Sequence, residues 1–184
     1  DLLLNILPSS IAERLKKGET LIADDIENAT VLFADLTGFT ELSSTTRAKD
    51  LVMLLNNVFS VFDELLVKHS LEKIKTIGDN YMLAGGLPEP SENHAISVVE
   101  MALDILEVLP KIKTETQNSM QIRIGINSGS MSAGVIGKKK FIYDLWGDTV
   151  NVASRMEAYG KHNHIHVSEN TYKILKDIYL FKKQ

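Results

Sequence analysis

A chain of 184 residues, 44% hydrophobic and 24% charged, has the size and polarity of one soluble globular domain. Its formal net charge of −4 argues against a nucleic-acid partner, which needs a basic surface, and no apolar run reaches the roughly 18 residues that cross a bilayer. With no cysteine there is no disulfide and no thiolate metal site, which suits a reducing cytoplasm.

Residues 1–27 read as a helical connector. Leu2, Leu3 and Ile6 precede Pro8, and Ile11 and Leu15 follow at helical spacing. Pro8 suits the opening of the second helix, where its missing N–H does no harm. The opening "DLLLNILPSS" lacks the basic-then-apolar order of a signal peptide. Because it starts at Asp1, the chain is read as an excerpt, with an upstream sensor or membrane domain acting through the connector.

Residues 28–184 form the main unit. A strand over Ala29–Asp35 runs into the turn "LTGFT" and a short helix. Leu51, Leu54, Leu55, Val58, Phe62, Leu65 and Leu66 recur at three and four and predict a long helix. "EKIKTIGDNYMLAGG" predicts a hairpin around Gly78-Asp79, and "SENHAISVVEMALDILEVLPKI" a helix capped by Ser91 and ending near Pro110. "QIRIGINSG" and "MSAGVIG" read as two strands, "GKKK" as a solvated turn, "FIYDLW" as a strand and "DTVNVASRMEAY" as a helix. A strand "IHVS", a helix "ENTYKILKD" and a strand-like "IYLFKK" follow. This order predicts an α/β sandwich, an α+β fold with helices packed on a mainly antiparallel sheet.

Two carboxylates draw attention. Asp35 ends an apolar strand, where it could simply cap the next helix. Asp79 sits at a hairpin tip, where Gly-Asp is favoured for backbone reasons alone. Yet both leave strands that could lie side by side, and there they would repel each other unless a cation lay between them. Mg²⁺ suits such oxygen ligands and leaves the rest of its shell to phosphate and water. A helix starting in "LTGFT" would turn free N–H groups and its positive dipole end outward, a seat for phosphates. Neither a P-loop nor a Gly-x-Gly-x-x-Gly pattern occurs.

Asn151 and Arg155 lie four apart on a predicted helix and share a face with Asp148. The apolar Val150, Val152, Ala153 and Met156 around them predict an anionic partner for Arg155 rather than water. His162, His164 and His166 alternate as ligands on a strand would, but a solvated loop entering a strand accounts for them better than zinc does.

Taken together, "VLFADLTGFT", "EKIKTIGDNYM" and "YDLWGDTVNVASRM" resemble, in order and separation, the signature blocks of the class III nucleotidyl cyclase catalytic domain. The resemblance extends over residues 28 to 182 and implies a ferredoxin-like βαββαβ-type core. It implies that Asp35 and Asp79 bind two Mg²⁺ ions, with Mn²⁺ able to substitute, and that the amides of Leu36, Thr37, Gly38, Phe39 and Thr40 cradle the triphosphate. Lys75 and Asp144 match the purine-selecting pair, Asn151 the ribose-orienting residue and Arg155 the residue that stabilises charge on the α-phosphate.

A lysine donor and a carboxylate acceptor fit adenine. Guanylate-specific members that resemble this chain carry Glu and Cys there. The implied activity is therefore adenylate cyclase, a lyase that converts ATP to 3′,5′-cyclic AMP and pyrophosphate. In the family, one subunit supplies the metal aspartates and its partner the purine and transition-state residues. This implies a head-to-tail homodimer with two shared sites, located in the cytoplasm whether or not the parent protein is membrane-anchored.

Two alternatives remain: a guanylate cyclase, against which Lys75 and Asp144 weigh, and a catalytically silent dimerisation or regulatory module, against which the retained Asp35, Asp79 and Arg155 weigh. A diguanylate cyclase would show a Gly-Gly-Asp/Glu-Glu-Phe hairpin in place of "TIGDNYM". There is one departure. The family continues into a hairpin with a "KGKG"-like run whose lysine contacts the triphosphate, and Lys182 and Lys183 come too early to be that residue.

Overall fold

The computed structural model describes residues 2–112, 120–137 and 139–184, so Lys138 of the "GKKK" turn lies outside the described residues. Two long strands form the spine. β1 (Ile22–Thr37) and β4 (Gln121–Ile136) pair antiparallel from Ile22↔Val135 to Thr37↔Gln121, with a register shift between Ile26 and Ala29. β3 (Asn80–Gly85) lies on the other side of β1, β2 (Glu72–Ile77) pairs with β3, and β5 (Ile142–Trp146) pairs with β4, giving the order β2-β3-β1-β4-β5. β6 (His164–Val167) joins β4 in parallel, and every other pairing is antiparallel. The expected α+β fold with a mainly antiparallel sheet is the fold observed.

Alternation along the strands explains the layers, because successive side chains point to opposite faces. Leu32, Ala34 and Leu36 of β1 join Ile122, Ile124 and Ile126 of β4 on one face. There they meet the apolar sides of α3 (Ala48–Lys68), α4 (His94–Val108) and α6 (Glu169–Leu175). Val31 and Phe33 point the other way and pack with Met82, with Ile11 and Ala12 of α1 (Ser9–Lys16), and with Ala153 of α5 (Asp148–Ala158). The short α2 (Phe39–Thr45) leaves β1 through Gly38, whose φ of 84° lies in the left-handed region that glycine adopts freely. No described helix is long and apolar enough to cross a membrane.

Four local expectations are corrected. β1 begins at Ile22 rather than Ala29, inside the segment read as connector. Its first half is rich in acids, but Ile22 is buried and Asp24 is held by Arg14 of α1 at 2.5 Å. "QIRIGINSG" and "MSAGVIG" form one strand. The polar Asn127 and Ser128 stay in the sheet because Asn127 Nδ2 donates to Thr149 O at 2.9 Å and Ser128 Oγ meets Thr30 Oγ1 at 2.7 Å. α4 starts at His94, and Ser91 Oγ accepts from Asn93 N at 3.3 Å instead of capping the helix. "IYLFKK" is not a strand. The N–H groups of Ile178 and Tyr179 turn back to Leu175 O, and Tyr179 and Phe181 pack on the α4 side while the Tyr179 hydroxyl donates to Glu100.

Candidate active site

Asp35 lies within β1, on the face shared with Val31 and Phe33, opposite Asn80 of β3 and Arg123 of β4. It caps nothing: the N-cap of α2 is Gly38, without a side-chain cap. The turn between β2 and β3 is tight because Gly78 adopts φ 60°. That turn folds onto the end of β1, where Leu36 N donates to Asp79 O at 3.2 Å. The two aspartates are thus neighbours, as the strand ends suggested.

Burial pushes the Asp79 carboxyl up, and the charge of Asp35 pushes it further. Two polar atoms at this end, Thr37 Oγ1 and Asn80 Oδ1, are buried without a partner. Crowded carboxylates beside orphaned oxygen atoms form a donor set that fits Mg²⁺. Among the described residues no cluster of three or more His, Asp or Glu could hold a metal, so phosphate and water would complete such a shell. Beside this end, Leu36, Thr37, Gly38 and Phe39 line an open cleft of about 620 Å³ that reaches Gln121 and His162. The first N–H groups of α2 face no intrahelical acceptor.

Three residues here went unread in the sequence. Arg123 Nη2 donates to Asp35 Oδ2 at 3.0 Å, and its Nε donates to Glu157 Oε1 at 3.0 Å. Asn80 Nδ2 donates to the other Glu157 oxygen at 3.3 Å. Burial and then Asp35 push the Glu157 carboxyl up, while Arg123 opposes them. Glu157 reaches this spot because Gly125 lets α5 close on β4: a Cβ at Gly125 would stand 2.0 Å from Glu157 N. A signal did exist, since Arg123 and Gly125 alternate with three isoleucines on a strand that is covered on both faces.

Lys75 and Asp144 come from the two edges of the sheet, yet the twisted sheet brings them together. Lys75 Nζ is 2.5 Å from Asp144 Oδ2, and Leu145 N donates to Asp144 Oδ1 at 2.8 Å. The carboxylate is thus oriented through both oxygens, and the lysine side chain is 36% exposed.

Asn151 and Arg155 share the outer face of α5, because Ala153 and Glu157 take the inner one. This corrects the expected exclusion of water from Arg155, though it does have an anionic neighbour. The Arg155 side chain is 56% exposed, and its ion pair, to the exposed Asp148, spans 3.8 Å. Among the described residues, no hydrogen bond or ion pair links Asn151 or Arg155 to Asp35, Asp79, Lys75 or Asp144. The three histidines gather no ligand set: His162 Nδ1 meets Gln121 Oε1, His164 Nδ1 meets His162 O, and His166 Nδ1 meets Met156 O.

Residues 21–184 match the sequence profile of the adenylate and guanylate cyclase catalytic domain. The chain is 46% identical over 184 residues to an adenylate cyclase of Mycobacterium tuberculosis, covering 100% of this chain and 42% of that protein. It is 39% identical over 184 residues to a membrane guanylyl cyclase of Dictyostelium discoideum, covering 100% of this chain and 12% of that protein. Among solved structures it is similar to the catalytic core of a rhodopsin-guanylyl cyclase with converted specificity in complex with ATPalphaS, at 44% identity and a TM-score of 0.83 over 86% of each chain. The chain spans less than half the length of these curated relatives.

Proposed function

The chain belongs to the adenylate and guanylate cyclase catalytic-domain family, and on that premise we propose that it is an adenylate cyclase whose two sites are shared across a head-to-tail homodimer. The observation that carries the choice of base is the Lys75–Asp144 pair at 2.5 Å. Asp144 accepts from the N6 amino group of adenine, and the Lys75 ammonium donates to N1. Guanine presents an acceptor and a donor in the reverse order. The 39% identity to the Dictyostelium guanylyl cyclase favours the rival reading, but it says nothing about these two positions.

Asp35 and Asp79 would hold two Mg²⁺ ions, which when bound lower the pKa of the 3′-hydroxyl and offset the charge of the triphosphate. The amides of Gly38 to Thr40 hold the phosphates, aided by the dipole of α2, whereas the Leu36 amide, expected in the same cradle, is taken by Asp79 O at 3.2 Å. The 3′-hydroxyl loses its proton to solvent water, its oxygen attacks the α-phosphorus in line, the bond to the β-phosphate oxygen breaks, and pyrophosphate leaves. Asn151 orients the ribose. Arg155 meets the charge that develops on the α-phosphate, where a fixed cation is most effective.

The dimer reading rests on the exposure of Asn151 and Arg155: they complete a site only when they face the metal end of a second copy. An upstream sensor or membrane domain acting through α1 on a cytoplasmic catalytic domain fits the greater length of the relatives. The test is to compare turnover of ATP and GTP by the purified protein with Mg²⁺ and with Mn²⁺. Cyclic AMP as the main product is the expected result. A preference for GTP, or no turnover of either by a folded dimer, would overturn the reading.

A further inference from the structure

We propose that Glu157 is a positioning residue for the metal carboxylates: it holds back the guanidinium of Arg123 and so keeps Asp35 available to a metal. The inference rests on the reading of Asp35 and Asp79 as metal ligands. An arginine and a carboxylate left to themselves tend to form two parallel hydrogen bonds. Here the fork is divided, with Nη2 donating to Asp35 and Nε to Glu157, each at 3.0 Å. One N–H per carboxylate leaves Asp35 only partly satisfied.

Glu157 can hold that share because it is itself fixed. It is 6% exposed, its backbone is seated on Gly125, and its second oxygen accepts from Asn80, the residue after Asp79. One carboxylate therefore ties together the neighbours of both aspartates. Asp35, Asp79 and Glu157 outnumber Arg123 in charge by three to one. The excess attracts a divalent cation. Neutralising Glu157 removes part of that attraction and frees Arg123 to close on Asp35.

The test is binding of Mn²⁺ alone to the nucleotide-free protein, followed by the loss of the free-ion paramagnetic resonance signal, with circular dichroism to show that each variant is folded. Glu157→Gln keeps the shape of the side chain and should weaken Mn²⁺ binding about 10- to 100-fold, the usual effect of losing a partner behind a ligand. In an Arg123→Gln background the same substitution should cost less, because the part of its effect that passes through Arg123 is gone and only the lost charge remains. Binding by Glu157→Gln within about two-fold of the parent, or an equal loss in both backgrounds, overturns the inference. Asp35→Asn is the control. If it binds Mn²⁺ as the parent does, the metal assignment fails. If it loses binding while Glu157→Gln does not, only the role of Glu157 fails.

Discussion

The strand ends that carry Asp35 and Asp79 and the outer face of α5 that carries Asn151 and Arg155 belong to one chain but are built in opposite ways. The first is enclosed. Asp35 is gripped by Arg123 at 3.0 Å, and burial and mutual repulsion push the Asp79 carboxyl up. The second is open, with Arg155 mostly exposed and its ion pair to Asp148 stretched to 3.8 Å. One region holds more negative charge than it can satisfy, and the other offers a cation with little to hold. These needs do not meet inside the chain. The shared-site proposal has them meet twice, across the two-fold axis of a dimer.

The largest expected effect comes from breaking the enclosed side. Asp35→Ala or Asp79→Ala should abolish metal-dependent cyclase turnover while circular dichroism and gel filtration remain those of the parent. Near-normal cyclic nucleotide production by either variant would mean that the two-metal site is misplaced. Next comes the base pocket: Lys75→Glu with Asp144→Cys should move preference from ATP toward GTP, since each mismatched hydrogen bond costs about 1–3 kcal/mol. Unchanged preference in competition assays, in a folded protein, counts against the pocket.

A third substitution loosens the joint between the two regions. A Cβ at Gly125 would stand 2.0 Å from Glu157 N and 2.6 Å from Ala153 O, so Gly125→Ala must lift α5 from β4. Overpacking of this kind costs about 1–3 kcal/mol, and the denaturation midpoint should fall accordingly. A midpoint equal to that of the parent would show that α5 is not seated on this glycine.

The smallest effect on turnover lies away from both regions, at a half-buried carboxylate. Burial alone pushes Glu72 from 4.5 to about 7. The folded protein then holds that proton more tightly than the unfolded chain, so this contribution is present at low pH and is lost as pH rises from about 4.5 to about 7. Glu72→Gln should therefore melt higher than the parent at pH 8 and with it at pH 4. Equal melting temperatures at pH 8 would show that Glu72 is well solvated.

What could be read from the sequence follows from how local each signal is. The hairpin at Gly78-Asp79 and the long α3 announce themselves through turn chemistry and helical spacing. The first half of β1 does not: Asp24 and Asp25 fall in the segment read as a helical connector until Arg14 and Ser132 are placed beside them. β4 reads as two strands divided after Gly129, and the polar network that keeps the neighbouring Asn127 and Ser128 in the sheet is assembled from distant segments. Thr30 Oγ1 bonds His94 Nδ1 and Ser128 Oγ, and Ser128 Oγ bonds Thr171 Oγ1.

The candidate site divides along the same line. Asp35, Asp79, Lys75, Asp144, Asn151 and Arg155 stand in motifs with a recognisable order. Arg123 and Glu157 gain meaning only from each other, 34 positions apart. The exposure of Arg155 was misjudged because apolar neighbours on a helix mark its inner face without fixing how much of the outer face is covered.

The central claim is that one chain cannot complete a site and two chains complete two. Asp35→Ala and Arg155→Ala proteins, each nearly inactive alone, should be mixed under conditions in which subunit exchange is shown independently. In a mixed dimer one site collects both lesions and the other collects neither. With free exchange half of the dimers are mixed, so cyclase activity should return to roughly a quarter of the parent value, as two-fold symmetry requires. No recovery of activity despite proven exchange would contradict the shared site.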